Sequence, residues 1–254
     1  MTTIPAAGQP YWPGSFNLAD AGGLPLQGGG VTRSGRVFRS ARPDYLTPEG
    51  WRAARAAGVT TVVDLRNPGE STSEGDGAAA AAAGAAPVRA AAVTEGIRFV
   101  SCPTEDPSDP QFLELCGALL DHPLSYADNI RLYPRKFAEV FRAIADAEGA
   151  VLVHCAAGRD RTGMVMAMLL SVVGVTPEAI TDDYVDAAIR FNAGLGVEPG
   201  LTEEKAHSAA VMEERIASRR SALLAWLESL DVESYLRASG LTSGEIDSLQ
   251  ARLV

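Results

Sequence analysis

Two apolar runs constrain this chain more than anything else in it. Val151-Leu152-Val153 is short and wholly apolar, as a buried strand is, whereas residues 163–173 are apolar over a length that suits a helix, and only one compact polar stretch separates the two. A strand that turns into a helix through a tight loop is the repeating unit of α/β domains. The alternation recurs along the chain. Val37–Ser40 reads as a strand, and Thr47-Pro48-Glu49 opens a helix with a capping hydroxyl, a proline at its first turn and an early acid. That helix stops at Gly58; residues 59–65 and 97–102 read as further strands, and residues 111–120 and 127–147 as helical patterns. Thr176-Pro177-Glu178 restarts a helix that runs towards Phe191, where a glycine-rich break at 194–200 precedes a long charged stretch. Val232–Ala238 and a capping-box sequence, Thr242-Ser243-Gly244-Glu245, complete an all-helical back third. The expected fold is one α/β domain over residues 1–254, with a mostly parallel central sheet flanked by helices and a helical C-terminal third.

Residues 67–96 break the pattern. Their composition turns to Gly, Ser and Glu and then to an alanine block interrupted by glycine and proline, without an amphipathic period, so they read as a flexible Ala/Gly-rich insertion.

The polar stretch itself is His154-Cys155-Ala156-Ala157-Gly158-Arg159-Asp160-Arg161-Thr162-Gly163. A loop between a strand and a helix collects several backbone N–H groups around one hollow, with the positive end of the helix dipole behind them, and such a hollow suits a phosphate dianion. Cys155 at its start feels the same field, which favours the ionised sulfur that acts as a nucleophile. Arg161, six positions later, can grip phosphoryl oxygens with its planar fork while Cys155 attacks in line, a geometry that lysine does not reproduce. The phosphate-binding set is therefore Ala156, Ala157, Gly158, Arg159, Asp160, Arg161 and Thr162. Thr162 offers a hydroxyl to the sulfur, and Gly158 lets the backbone pass close to a ligand. His154 reads as a support of the loop rather than an acid or base.

Cys-x5-Arg-Thr after an apolar strand and a histidine resembles the signature of the protein tyrosine phosphatase superfamily. With Asn17-x-x-Asp20-x-Gly22-Gly23, Asp64-Leu65-Arg66, Asp183-Tyr184 and the Gly-Leu-Thr-x-x-Glu-Ile ending at 240–246, nearly the whole chain is similar to the bacterial tyrosine/serine protein phosphatases. The resemblance implies a phosphatase-like fold, hydrolysis of phosphate monoesters through a phosphocysteine, phosphotyrosine in proteins as the leading substrate with phosphoserine, phosphothreonine or phosphoinositide as alternatives, and a helical lid within residues 191–230. Leu223, Leu224, Trp226 and Leu227 are the candidates for the lid's apolar underside. Two positions depart from the family's pattern: Arg159 stands where a lysine associated with phosphoinositide activity is usual, and Ala19 where an arginine is usual.

The general acid is less legible. Family members place an acid after the strand that corresponds to residues 97–102, which favours Asp106, with Glu105 and Asp109 as competitors and Asp160 as an alternative inside the loop itself.

Composition bounds what else the chain does. Net charge of -10 disfavours nucleic acid and anionic membrane surfaces as partners. No apolar run reaches the roughly 20 residues of a membrane-spanning helix. Three cysteines and three scattered histidines form neither a disulfide framework nor a metal site, so no metal or other cofactor is expected. Cytoplasmic residence is the simplest reading, with secretion that needs no signal left open. Two other classes compete: a silent phosphatase-like module that binds phosphorylated ligands, and a sulfur-transfer or arsenate-reducing cysteine loop, which would need Cys102 or Cys116 as a resolving thiol.

Overall fold

The structure, a computed structural model, describes residues 10–71, 94–195 and 204–254. Five strands form one sheet: β1 (Ala19–Asp20), β2 (Val37–Ser40), β3 (Val59–Asp64), β4 (Arg98–Ser101) and β5 (Ala150–His154), in the order β1-β2-β5-β3-β4. β2, β5, β3 and β4 run parallel, and the two-residue β1 alone is antiparallel, on β2. The sheet is mostly parallel, as the alternation of strand and helix patterns requires.

Both faces of the sheet are covered, and the strands divide their side chains between them with period two. From β2 and β5, Val37, Val151 and Val153 enter the larger apolar cluster; Phe38, Ala150 and Leu152 enter a smaller one with Trp12, Leu46 and Trp51. Each such fully buried Val or Leu contributes about 1.5–3 kcal/mol relative to exposure, which explains why a strand of only five residues can hold the centre of the sheet. The helices are α1 (Pro48–Ala56), α2 (Pro68–Ser71), α3 (Pro110–Cys116), α4 (Tyr126–Leu132), α5 (Pro134–Ala145), α6 (Asp160–Val172), α7 (Pro177–Leu195), α8 (Ala209–Ser229), α9 (Val232–Ala238) and α10 (Ser243–Leu253). α1 begins as its sequence dictates, with the Thr47 side chain accepting from the Gly50 N–H and Pro48 behind it, and Thr242 with Glu245 closes the capping box of α10.

Two local expectations are corrected. The pattern over 127–147 is two helices, because Pro134 cannot continue the hydrogen bonding of α4 and starts α5 instead. The helix from residue 110 ends at Cys116 and tightens into a short 3-10 turn. Of residues 67–96, the first five include α2, and residues 72–93 lie outside the described residues.

Register positions the site. His154 at the end of β5 pairs with Ser40 of β2 on one side and Asp64 of β3 on the other, and Asp64 pairs with Ser101 of β4. The four parallel strands therefore end along one edge, and the chain leaving β5 turns through residues 155–159 into α6 above that edge, where open α/β sheets place their ligands.

Candidate active site

The loop from Cys155 to Arg161 is held from behind, one carbonyl at a time. The Cys155 carbonyl lies 3.2 Å from His154 Nδ1. The Ala156 carbonyl accepts from the Arg42 N–H at 3.0 Å, that of Ala157 from Asn17 Nδ2 at 2.9 Å, and that of Gly158 from Arg39 Nη2 at 2.8 Å. Tyr126 donates to the Asp160 carbonyl at 3.0 Å. With the carbonyls fastened outward, the amide N–H groups are left to the other side, and one of them, Gly158 N–H, points at Cys155 Sγ 3.3 Å away. Gly158 has φ +66, and a Cβ there would lie 2.4 Å from the Ser40 carbonyl, so no other residue takes this turn without displacing β2.

The supports come from separate elements and support one another. Arg39 on β2 is fully buried and paired with Asp183 of α7. Tyr184 beside it donates to Asp160 Oδ1 at 3.2 Å. His154 is fully buried and 3.7 Å from Asp64; burial first, and the nearby Arg66 charge with it, push its pKa down to about 4, outweighing the Asp64 carboxylate. It is neutral near pH 7 and serves as a hydrogen-bonding brace. Asp64 is in turn paired with Arg66 at 2.8 Å, and Arg66 also reaches Asp44 at 2.9 Å. Asp20 accepts from the Gly22 and Gly35 N–H groups, which fixes the turn after β1 without a partner from Ala19.

In front of the loop opens a pocket of about 480 Å³. Cys155 and Arg161 both line it, with Ala156, Ala157, Arg159 and Asp160, and Glu105, Pro107, Glu70, Asp121, Leu120 and Glu204 form its other walls. Arg161 stands on the first turn of α6. Both of its Nη atoms are on the Glu70 carboxylate, at 2.6 and 2.8 Å, and Glu105 Oε2 lies 3.7 Å away. Burial would raise Glu70, but hydrogen bonds and charge from Arg161 outweigh it and hold the carboxyl below the usual range. Glu105 goes the other way: burial pushes its carboxyl up, Arg161 opposes this incompletely, and the Glu70 and Asp160 charges add to the rise.

The four carboxylates weighed for proton donation lie in different settings. Asp106 does not line the pocket; its Oδ1 accepts from the Ser108 N–H and hydroxyl, which hold its carboxyl below the usual range. Asp109 caps α3 through the Gln111 N–H and accepts from Tyr133 at 2.9 Å. Asp160 lines the pocket but is tied to Tyr184 and to Arg159 Nε at 2.8 Å. Glu105 lines the pocket, and burial pushes its carboxyl up.

Other expectations meet the structure as follows. Thr162 is buried and its Oγ1 has no hydrogen-bond partner, so the sulfur's polar contact is Gly158 N–H and not the threonine. Leu223, Trp226 and Leu227 are buried in the main apolar cluster, Trp226 with its ring 5.2 Å from that of Tyr126. Cys102 and Cys116 are buried, with thiols pushed up to about 11, chiefly by burial. Glu70 escaped sequence reasoning, although Asn67-Pro68-Gly69-Glu70 carries a helix-start pattern; the Glu70 carboxylate accepts from the Asn67 N–H at 3.0 Å.

A sequence model of the tyrosine phosphatase family matches residues 10–254. The chain belongs to the tyrosine phosphatase family. It is an enzyme, a phosphoric monoester hydrolase. Among relatives, the phosphatase is 31% identical to a protein of Cupriavidus necator whose name provisionally assigns it as a tyrosine-protein phosphatase, over 93% of this chain and 84% of the relative. It is 30% identical to the triple specificity protein phosphatase PtpB of Mycobacterium tuberculosis, over 68% of this chain and 67% of the other. Among solved structures it is similar to P. aeruginosa TpbA, crystallised with phosphotyrosine, with 20% identity, a TM-score of 0.41, and 82% and 88% of the two chains covered. Among the described residues no helix is long and apolar enough to cross a membrane.

Proposed function

We propose that this phosphatase hydrolyses phosphotyrosine in proteins in two steps, through a phosphocysteine on Cys155. In the first step Sγ attacks phosphorus as the P–O bond to the tyrosine ring breaks, and Glu105 gives its proton to the departing oxygen. In the second, water attacks the phosphocysteine, Glu105 takes a proton from that water, and the P–S bond breaks to return sulfur as a thiolate and release inorganic phosphate. Arg161 and the loop N–H groups hold the three equatorial oxygens throughout, the electrostatic part of phosphoryl transfer.

One observation carries this reading above the others: a cysteine sulfur at the floor of a pocket receives a backbone N–H from a loop whose carbonyls are all turned away, with a guanidinium on the next helical turn. A raised carboxyl lining the same pocket suits a proton donor, and on that ground we assign the role to Glu105 in place of its neighbour Asp106. Leu120, a large apolar side chain left 43% exposed at the pocket, together with Pro107, offers an aryl group a dry surface. The intact Cys155 and Arg161 weigh against a silent binding module. Arsenate reduction has little support, since Cys102 and Cys116 are buried with strongly raised thiols.

The test is chemical trapping. Acid quenching of the enzyme during turnover of a phosphotyrosine peptide is expected to leave one phosphoryl group on Cys155, and Cys155→Ser is expected to lose at least about 10⁴-fold in kcat. Turnover that persists in that variant, or phosphate found on another residue, would remove the mechanism.

A further inference from the structure

We infer that the active-site pocket selects phosphoesters carrying a single phosphoryl group with positive charge beside it, such as a phosphotyrosine flanked by Lys or Arg, and rejects polyphosphorylated headgroups. The inference rests on the reading of Cys155 and Arg161 as the phosphoryl site and concerns what surrounds it.

Five carboxylates line the pocket, Glu70, Glu105, Asp121, Asp160 and Glu204, against two guanidiniums, Arg159 and Arg161. The guanidiniums are already engaged. Arg159 places Nε on Asp160 at 2.8 Å, reaches Glu204 with Nη1 at 3.1 Å and Nη2 at 3.4 Å, lies with its plane over the Phe191 ring at 4.9 Å, and is only 8% exposed. Arg215 and Arg219 behind the wall both close on Asp121, at 2.5 and 2.7 Å. Arg159, Arg161, Arg215 and Arg219 each have a carboxylate partner.

Arg159 is the position at which a second phosphate would be expected to find its cation. Its planar fork instead completes an internal network, which a lysine's single ammonium would not span in the same way. A substrate dianion brought to Arg161 adds its charge beside Glu70, Asp160 and Glu204, whose guanidinium partners are already shared, so each further phosphate or carboxylate on the substrate meets negative charge in a pocket whose two guanidiniums are taken. A lysine or arginine beside the scissile ester relieves that charge. With a net charge of -10, nothing in the long-range field of the chain opposes the preference.

The experiment compares kcat/KM for three phosphotyrosine peptides differing only in flanking residues (Lys/Arg, Ala, or Asp/Glu), for soluble short-chain mono- and trisphosphorylated phosphoinositides, and for p-nitrophenyl phosphate. The basic-flanked peptide is expected to exceed the acidic one by about tenfold or more at low ionic strength, with the ratio shrinking as salt shortens the Debye length. The trisphosphorylated lipid is expected to be the poorest substrate. In Glu204→Gln, which releases part of Arg159, the peptide ratio is expected to contract and the trisphosphorylated lipid to gain relative to the monophosphorylated one. Equal or reversed peptide rates, or a trisphosphorylated lipid that outruns the basic peptide, would overturn the specificity while p-nitrophenyl phosphate turnover through Cys155 still stood. Loss of the phosphoryl site itself would show separately, as p-nitrophenyl phosphate turnover that Cys155→Ser does not reduce.

Discussion

The two sides of one loop are built on different principles. Behind the loop, the carbonyls of Cys155, Ala156, Ala157, Gly158 and Asp160 meet His154, Arg42, Asn17, Arg39 and Tyr126 in turn, and apart from the part-buried tyrosine contact these bonds lie in the interior. In front, carboxylates outnumber guanidiniums and share them, Arg161 between Glu70 and Glu105, Arg159 between Asp160 and Glu204. The rear is satisfied only in the arrangement seen, so it presents the N–H groups before any ligand arrives. The front holds charges that an incoming dianion must reapportion. Rigidity is thus invested in the backbone, and adjustability in the side chains that meet substrate.

If that division holds, the largest effect comes from damaging the rear. Arg39→Met keeps the length of the side chain but strips Asp183 and the Gly158 carbonyl of their donor, and leaving one member of a buried ion pair uncompensated costs about 3–5 kcal/mol. Urea unfolding is expected to show a correspondingly lower midpoint, with activity lost alongside it. A wild-type midpoint would mean that the loop does not depend on its rear contacts.

A mouth residue should behave in the opposite way. Glu105→Gln is expected to lower kcat on phosphotyrosine peptides by about 10²-fold or more, with a much smaller loss on an aryl phosphate whose leaving group needs no proton. The sign of its pH dependence follows from the raised pKa: the acid form is present below that value and disappears as pH rises through it, so wild-type kcat falls on the alkaline side and the variant lacks that limb. Stability should not suffer. A carboxyl with a folded pKa above its unfolded 4.5 contributes stability below 4.5 that is lost as pH rises through the folded value, so at neutral pH the charged group is not a stabiliser. A Glu105→Gln variant that unfolds early but keeps its alkaline limb would assign Glu105 to the scaffold.

The same division explains what could be read from the sequence. Strands and helices were visible because period and capping are local, and the loop from Cys155 to Thr162 was visible because its chemistry is contiguous. Its rear supports were not, since Asn17, Arg39, Arg42 and Tyr126 reach the loop only through sheet order and helix packing. Sequence does not say which side chain of an irregular loop faces the pocket, because adjacent ones diverge: Glu105 lines it and Asp106 turns to Ser108, and on that difference the proposed proton donor moves by one residue. Pro134 was overlooked because apolar periodicity continues across it. Glu70 was absorbed into the alanine-rich stretch whose composition begins just beyond it, although its own partner lies 91 residues away on Arg161.

Glu70 gives the finest test of the contrast, because it touches only the front. Its carboxylate occupies both Nη atoms of Arg161 and its charge helps to raise Glu105. In Glu70→Gln that charge is gone while the side chain keeps its size, so the Glu105 pKa should drop and the alkaline limb of kcat should move to lower pH, by a fraction of a unit to about one unit. Arg161 meanwhile loses its ionic competitor and becomes more available to a dianion, which should appear as a severalfold lower inhibition constant for inorganic phosphate. The global unfolding midpoint should change little, since the pair is partly solvated and salt-screened. The two kinetic shifts must occur together if one carboxylate causes both. A limb that moves without tighter phosphate binding would make Glu70 a neighbour of the acid only, whereas weaker phosphate binding would show that Arg161 needs Glu70 to stay aimed at the pocket, and the front of the loop would then be as rigidly built as its rear.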